Sequence, residues 1–208
     1  STISTKQQAP SSPSEETDWT SKAPMNTARS QFAAVTGVDG MIYVFAGYST
    51  IGSTADLNST ERYNPATNTW ESLEPNPFVT RGSSYARGPN GKIYDISGWI
   101  SGPTTTNQIY DPDTNSWSAG APIPTSRWEA AATRGPDGRI YFFGGETTNQ
   151  LQIYDTVGDS WTTGATMPIA RKEHKAVLAN DGLIYVIGGS ESASVDVYDP
   201  SNDTWLNS

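Results

Sequence analysis

The chain has 208 residues and a net charge of −9 at pH 7, which leaves one or two domains open and argues against nucleic acid as a partner, because phosphate-binding surfaces are basic. It contains no cysteine, which excludes disulfides, thiolate metal sites and a cysteine nucleophile. No apolar run is long enough to span a bilayer, so we expect no membrane insertion.

Residues 1–17 are typical of an extended or flexible arm, since they contain two prolines and almost nothing apolar beyond Ile3. The alternation of residue types around Ile3 would also suit a strand that is donated to another chain. Ile3 and Trp19 are therefore candidates for an assembly strand, and a folded domain is expected over residues 18–208.

A tryptophan-centred motif then recurs along the chain. In four copies a tyrosine stands seven residues before the tryptophan. The tyrosines are Tyr63, Tyr110, Tyr154 and Tyr198, and the tryptophans are Trp70, Trp117, Trp161 and Trp205, preceded by a fifth, Trp19. The five tryptophans are 51, 47, 44 and 44 residues apart, a period that indicates a propeller or a similar array.

Each repeat contains the signals of four antiparallel strands. A run of small and apolar residues follows an arginine, and an Asp-Gly or Asn-Gly turn joins this first strand to a second. The second strands are β-branched and aromatic and end in glycine, as in LIYVIGG at 183–189. The third strand carries the tyrosine and the fourth the tryptophan. The sequence therefore predicts an all-β propeller of four blades with four strands each, and no helix.

The combined pattern R…DGxIYxxGG…YDP…NxW resembles the kelch repeat, from about residue 19 to residue 205. The departures are small: Ala46 and Ser97 replace the first of two glycines, and Thr156 replaces a proline. The resemblance implies that the recurring arginines, tyrosines and tryptophans form a framework between blades. A cationic ring around a central pocket is the alternative for the arginines. They are Arg29, Arg81, Arg127 and Arg171.

The loops that differ between repeats are the candidate binding surface. The first two repeats have longer connections between their second and third strands, at 48–57 and 99–106. Trp99 and Trp128 stand outside the repeated tryptophan position, and with Tyr48 they could form an aromatic platform for a protein or a carbohydrate. The competing interpretation is packing between blades.

Catalytic and metal sites have little support in the sequence. Asp111, Asp113 and Asn115 alternate like the start of a calcium loop, but the remaining ligand positions do not fit, which favours a turn. The kelch family includes copper radical oxidases and sialate mutarotases; the former require a cysteine linked to a tyrosine and two histidines. His174 is the single histidine. We therefore expect no catalytic residue, cofactor or metal, although a mutarotase-like activity stays open.

The function expected from the resemblance is that of a non-catalytic interaction or structural module, acting outside the cell. Its partner would be another protein or its own copies, and a carbohydrate is also possible. The alternatives are a carbohydrate-binding or sugar-acting protein and an intracellular kelch adapter. Asn58 and Asn202 lie in sequons for N-glycosylation, which would apply to a secreted chain.

The strand count leaves one fourth strand unmatched, because five tryptophans accompany only four copies of the other three strands. A fragment of a larger propeller, a four-bladed ring with a redundant strand, and a chain that lends its N-terminal segment to a neighbour all explain the surplus. We favour a single four-bladed unit with an extra N-terminal strand at Trp19.

Overall fold

The computed structural model describes residues 19–50, 55–146, 148–190 and 192–206. Within these ranges the chain forms four four-stranded antiparallel sheets, the blades, and one two-stranded hairpin. Blade 1 consists of β1 (Ala33–Thr36), β2 (Ile42–Phe45), β5 (Thr60–Asn64) and β6 (Thr69–Leu73); the separate hairpin, β3 (Tyr48–Ser49) and β4 (Ala55–Asp56), lies in the connection between β2 and β5. Blade 2 contains β7 (Ser84–Arg87), β8 (Ile93–Ile96), β9 (Asn107–Asp111) and β10 (Ser116–Ala119). Blade 3 contains β11 (Ala131–Arg134), β12 (Ile140–Phe143), β13 (Leu151–Asp155) and β14 (Ser160–Gly164). Blade 4 contains β15 (Lys175–Leu178), β16 (Ile184–Ile187), β17 (Val195–Asp199) and β18 (Thr204–Trp205).

The prediction of a four-bladed, all-β propeller is confirmed. In every blade the four strands pair in chain order, and the first strands of all four blades line a common central channel. The predicted turns join the first and second strands; in blade 4, Gly182 has a φ of 83°. Asp181 holds this turn, because its carboxylate accepts bonds from the Leu183 backbone N–H at 3.0 Å and the Tyr185 hydroxyl at 2.8 Å. In the described ranges, no helix is long and apolar enough to cross a membrane.

The extra N-terminal strand expected at Trp19 is not formed. The structure assigns no strand to residues 19–29, and the Trp19 side chain is 93% exposed. A fourth strand needs a third strand beside it, and blade 4 already has its own fourth strand, β18. Ile3 and the predicted arm at 1–17 lie outside the described residues.

The core lies between consecutive blades. Three hydrophobic clusters occur in the described part of the chain, one for each of the contacts 1–2, 2–3 and 3–4. In the third, Tyr141 and Phe143 of blade 3 pack against Ile184, Val186 and Tyr198 of blade 4, and all are at most 1% exposed. Alternation along each second strand supplies both faces of a blade, because neighbouring side chains point to opposite sides of a sheet.

A recurring set of hydrogen bonds, which we call the blade latch, joins each of these contacts at its outer edge. In blade 3, the Tyr154 hydroxyl and the Ala121 backbone N–H both donate to the Asp159 carboxylate, at 2.5 Å and 2.6 Å. The Trp161 indole N–H donates to the Ala121 carbonyl at 2.8 Å. Ala121 belongs to the segment that leaves blade 2, so the latch fastens that segment to blade 3.

The same latch is formed in all four blades. The fastened residues are Ala23 on blade 1, Glu74 on blade 2, Ala121 on blade 3 and Ala165 on blade 4. The acceptor is always an Asn or Asp two residues before the tryptophan, with a φ between 45° and 56°. Asn and Asp tolerate this left-handed conformation better than other side chains, which explains their recurrence at this point of the motif.

Replacing Trp161 with phenylalanine is expected to lower the free energy of unfolding by about 2–3 kcal/mol, because packing volume is lost and the Ala121 carbonyl loses its donor. Urea denaturation followed by circular dichroism measures the change. The matched control is Trp19→Phe, which should alter stability by less than about 0.5 kcal/mol because Trp19 is exposed. Equal losses from the two substitutions would contradict a structural latch at Trp161.

Candidate interaction surface

One end of the propeller, which we call the loop face, is formed by the connections between second and third strands and between blades. Here the residue after the paired glycine position bonds to the segment that enters the first strand of the same blade. Two of these contacts are Trp99 N–H to Arg81 carbonyl at 2.9 Å and Glu146 N–H to Trp128 carbonyl at 3.2 Å. Tyr48 makes the equivalent contact with Ser30 at 2.8 Å. Backbone pairing therefore fixes the positions of these side chains.

The structure brings Trp99 and Trp128 together, with ring centroids 4.9 Å apart and planes tilted by 52°. Lys172 lies over Trp128, with its Nζ 5.4 Å from the ring centroid. Tyr48 does not contact either tryptophan ring directly; the Arg81 guanidinium lies 5.3 Å from its centroid. We call the five side chains Tyr48, Arg81, Trp99, Trp128 and Lys172 the aromatic strip. It runs across the loop face from blade 1 to blade 4, and its three aromatic residues are partly exposed.

Three of the four recurring arginines occupy the same buried place. The Arg127 guanidinium donates to the carbonyls of Gly144 and Gln150 at 3.0 Å and 3.1 Å, and to the Gln152 side chain. Burial lowers the pKa of Arg127 to about 10. Arg29 and Arg171 make the equivalent carbonyl bonds, and they pair with Glu61 and Asp196 respectively. These side chains tie the ends of second and third strands together.

Arg81 is placed differently from the other three. Its segment is one residue longer, since Arg81 follows Glu74 by seven residues whereas Arg127 follows Ala121 by six. Thr80 takes the backbone position of Arg127: its carbonyl accepts from Gly47 N–H as that of Arg127 accepts from Gly98 N–H. The extra residue moves the Arg81 side chain onto the loop face, where it pairs with Asp56 at 2.8 Å.

A buried polar pair lies between blades 1 and 2. Asp95 occupies the second-strand position that Val44 and Val186 occupy in blades 1 and 4, and it is 2% exposed. Asn76 donates to one carboxylate oxygen, and the other has no hydrogen-bond partner among the described residues. Burial raises the pKa of Asp95 to about 7.

The channel opens on the loop face into a cavity of about 140 Å³ lined by Glu129, Glu173 and His174, among others. His174 precedes β15 and is 1% exposed. Burial, with the nearby charge of Arg171, lowers the pKa of His174 to about 4, so the ring is neutral at pH 7. Glu129 pairs with Lys172 at 3.0 Å, whereas Glu173 is exposed.

The remaining predicted residues have local roles in the structure. The Asn58 amide donates to the Asn76 carbonyl at 3.1 Å, so a glycan there would displace this bond. Asn202 is exposed, and its amide donates to the Asp199 carboxylate at 2.7 Å. Asp111 accepts from the Asp113 backbone N–H at 3.0 Å and pairs with Lys92, and Asn115 is the latch residue of blade 2. In the described residues, no cluster of three acidic or histidine side chains is arranged to hold a metal ion.

The sequence did not reveal the aromatic strip as a unit, because Arg81 and Lys172 join it only through the fold. Arg81 appeared to be one of four equivalent arginines. The one signal was the spacing, since the segment from Trp70 to Arg81 has an additional residue compared with the segments from Trp117 and Trp161.

The radial sheets place the chain in the class of β-propellers, and the repeat then defines it further. The Kelch motif matches residues 29–77 and 172–207, in blades 1 and 4. A putative F-box/kelch-repeat protein of Arabidopsis thaliana is 40% identical over 79 residues, which are 38% of this chain and 21% of that protein. The aligned part thus spans about a fifth of the relative's length. The chain is a four-bladed β-propeller with kelch motif repeats in blades 1 and 4, an architecture that serves as a generic interaction module.

Replacing Arg127 with methionine should lower the free energy of unfolding by about 2–4 kcal/mol, because buried carbonyls lose their donors. Arg81→Met is the matched control and should cost less than about 1 kcal/mol, since its ion pair is partly exposed. Thermal and urea denaturation compare the two variants, and a larger loss for Arg81→Met would contradict the different placements.

The raised pKa of Asp95 predicts a pH-dependent stability. Between about pH 4 and pH 7 the folded state holds a proton that the unfolded state has lost, so stability should fall as pH rises through this window, by about 1.4 kcal/mol per unit of pKa shift. Asp95→Asn should remove this component. The midpoints of urea denaturation at pH 4 to 8 measure this component. Asp95→Val is a second variant, since valine occupies this position in blades 1 and 4. If both variants showed the same dependence of stability on pH as the parent chain, the account would be contradicted.

Proposed function

We propose that the propeller is a non-catalytic module that uses the aromatic strip to bind a segment of another protein. The observation that carries this proposal is the Trp99–Trp128 pair, which is fixed by backbone bonds and partly exposed on the loop face. Aromatic rings with an apolar face and a polar edge are enriched in protein interfaces, where they lose little conformational freedom on binding.

The charges around the strip favour a basic segment. Arg81 and Lys172 already have acidic partners, Asp56 and Glu129. Glu146 and Glu173 are exposed, and neither forms an ion pair within the described ranges. A lysine or arginine of the partner could therefore stack on an indole face and pair with one of these carboxylates. The net charge of −9 would steer such a segment toward the protein.

We further propose that the protein acts outside the cell and carries a glycan on Asn202. The support is the exposed position of this sequon in the β17–β18 turn. Expression through a eukaryotic secretory route, with the mass compared before and after glycosidase treatment, tests this part separately.

An array of peptides with graded charge, followed by calorimetric titration of the best peptide, tests the binding proposal. The expected result is selective binding of basic peptides, with at least a tenfold loss of affinity for Trp128→Ala, equivalent to about 1.4 kcal/mol. Trp99→Phe should retain most of the affinity because it keeps a ring, and Glu146→Gln should weaken binding of basic peptides only.

The matched control is Val157→Ala, which lies exposed in a turn away from the strip and should bind as the parent chain does. Near-UV circular dichroism shows whether each variant is folded. Binding to oligosaccharides on an array, without binding to peptides, would overturn the protein-binding proposal in favour of a carbohydrate ligand. If Trp128→Ala bound peptides as tightly as the parent chain, the site would lie outside the strip.

A further inference from the structure

We propose that blade 4 packs face to face on blade 1 of a second copy of this chain. The starting observation is that blade 4 has one free face. Val177, Ile187 and Val195 are 50%, 44% and 45% exposed on adjacent strands of that face. In the described part of the chain, no hydrophobic cluster joins blade 4 to blade 1.

The free face has the composition of an interface between blades. Ile187 and Val195 are the repeat equivalents of Phe143 and Leu151 in blade 3, both 0% exposed against blade 4. Exposed apolar side chains on one flat sheet are typical of an interaction site, since isolated surface residues do not line up in this way. The free face of blade 4 is therefore expected to pack against a surface similar to the face of blade 4 that contacts blade 3.

Blade 1 has the matching positions on its corresponding face. Its Val44, Tyr63 and Trp70 are the repeat equivalents of Val186, Tyr198 and Trp205, which receive blade 3 within the chain. Val44 and Tyr63 are already buried, at 1% and 8% exposure, so a second copy would contact the partly exposed Trp70. Ala34 on the same face is exposed. A second copy would therefore continue the series of internal contacts, with the same residue types on each side.

The open backbone groups at the two faces are also complementary. Within the chain, the Glu173 N–H donates to the Glu129 carbonyl at 2.8 Å, and the Gly145 N–H donates to the Arg171 carbonyl at 2.9 Å. Each of these two bonds belongs to a series that repeats from blade to blade. If both series continued into a second copy, the Gln31 N–H of one copy would face the Glu173 carbonyl of the other, and the Gly189 N–H would face the Arg29 carbonyl. None of these four groups forms a backbone hydrogen bond within the described residues.

The contact area is sufficient if the contact is formed twice. A face of four short strands covers about 250 Å² in projection, from a strand spacing of about 4.8 Å and a rise of about 3.3 Å per residue. Two chains in a head-to-tail ring cover four faces, or about 1,000 Å² of projected area, which is the lower limit for a specific interface. Head-to-tail contacts of this kind close into rings or grow as filaments.

Sedimentation and light scattering of the full chain, from micromolar to near-millimolar concentration, test the proposal. The expected result is a mass that rises to two or more chains. Ile187→Glu on blade 4 and Ala34→Glu on blade 1 should each reduce association at least tenfold. Val157→Glu, at a 92% exposed position outside both faces, should not change it.

Mixing the two face variants tests the head-to-tail arrangement. Each variant retains one intact face, so an equimolar mixture should form a 1:1 pair that neither variant forms alone. Near-UV circular dichroism checks that both variants keep their tryptophan packing. A monomeric parent chain at all concentrations overturns the proposal, and so does an Ala34→Glu variant that still associates, which would show blade 4 pairing with blade 4. The outcome does not depend on peptide binding at the loop face.

Discussion

The blade latch is the interaction on which the structure depends. A blade is a small, twisted sheet that buries little on its own, and its stability comes from the neighbours that cover its two faces. The latch sets the position of each blade relative to its neighbour. A single Asn or Asp side chain accepts hydrogen bonds both from the tyrosine of its own blade and from a backbone N–H of the segment that leads into that blade. The tryptophan adds a second bond, because its indole N–H donates to the carbonyl of the same fastened residue.

The latch connects the repeat to the candidate binding surface. With each interblade segment fastened at the outer edge, the segment runs inward to the buried arginine position and emerges on the loop face. One additional residue in the segment between blades 1 and 2 therefore cannot be absorbed at the latch. It displaces Arg81 to the surface beside Tyr48 and Trp99, and leaves Asn76 and Asp95 to fill the interior. A change in spacing inside one repeat thus creates a surface that the other repeats lack.

Much of the fold could be predicted from the sequence because strand alternation, Asp-Gly turns and the Tyr–Trp spacing are local signals. The aromatic platform was a hypothesis on three residues; the structure joins two of them and links Tyr48 through Arg81. The prediction of an extra N-terminal strand at Trp19 was wrong. A tryptophan at the expected spacing does not form a strand unless another strand lies beside it. The latch was missed because its partners are about 40 residues apart. The free face of blade 4 was also missed, since each repeat encodes a blade and not the closure of the ring.

Hydrogen exchange of the latched amides tests the central claim most directly. The backbone N–H groups of Glu74, Ala121 and Ala165 lie in segments without strand pairing, and each donates to the latch side chain of the next blade. If the latch holds the blades in register, these three amides should exchange only when the whole domain unfolds, as slowly as the second-strand amides. Exchange at the rate of exposed turn amides would contradict the account.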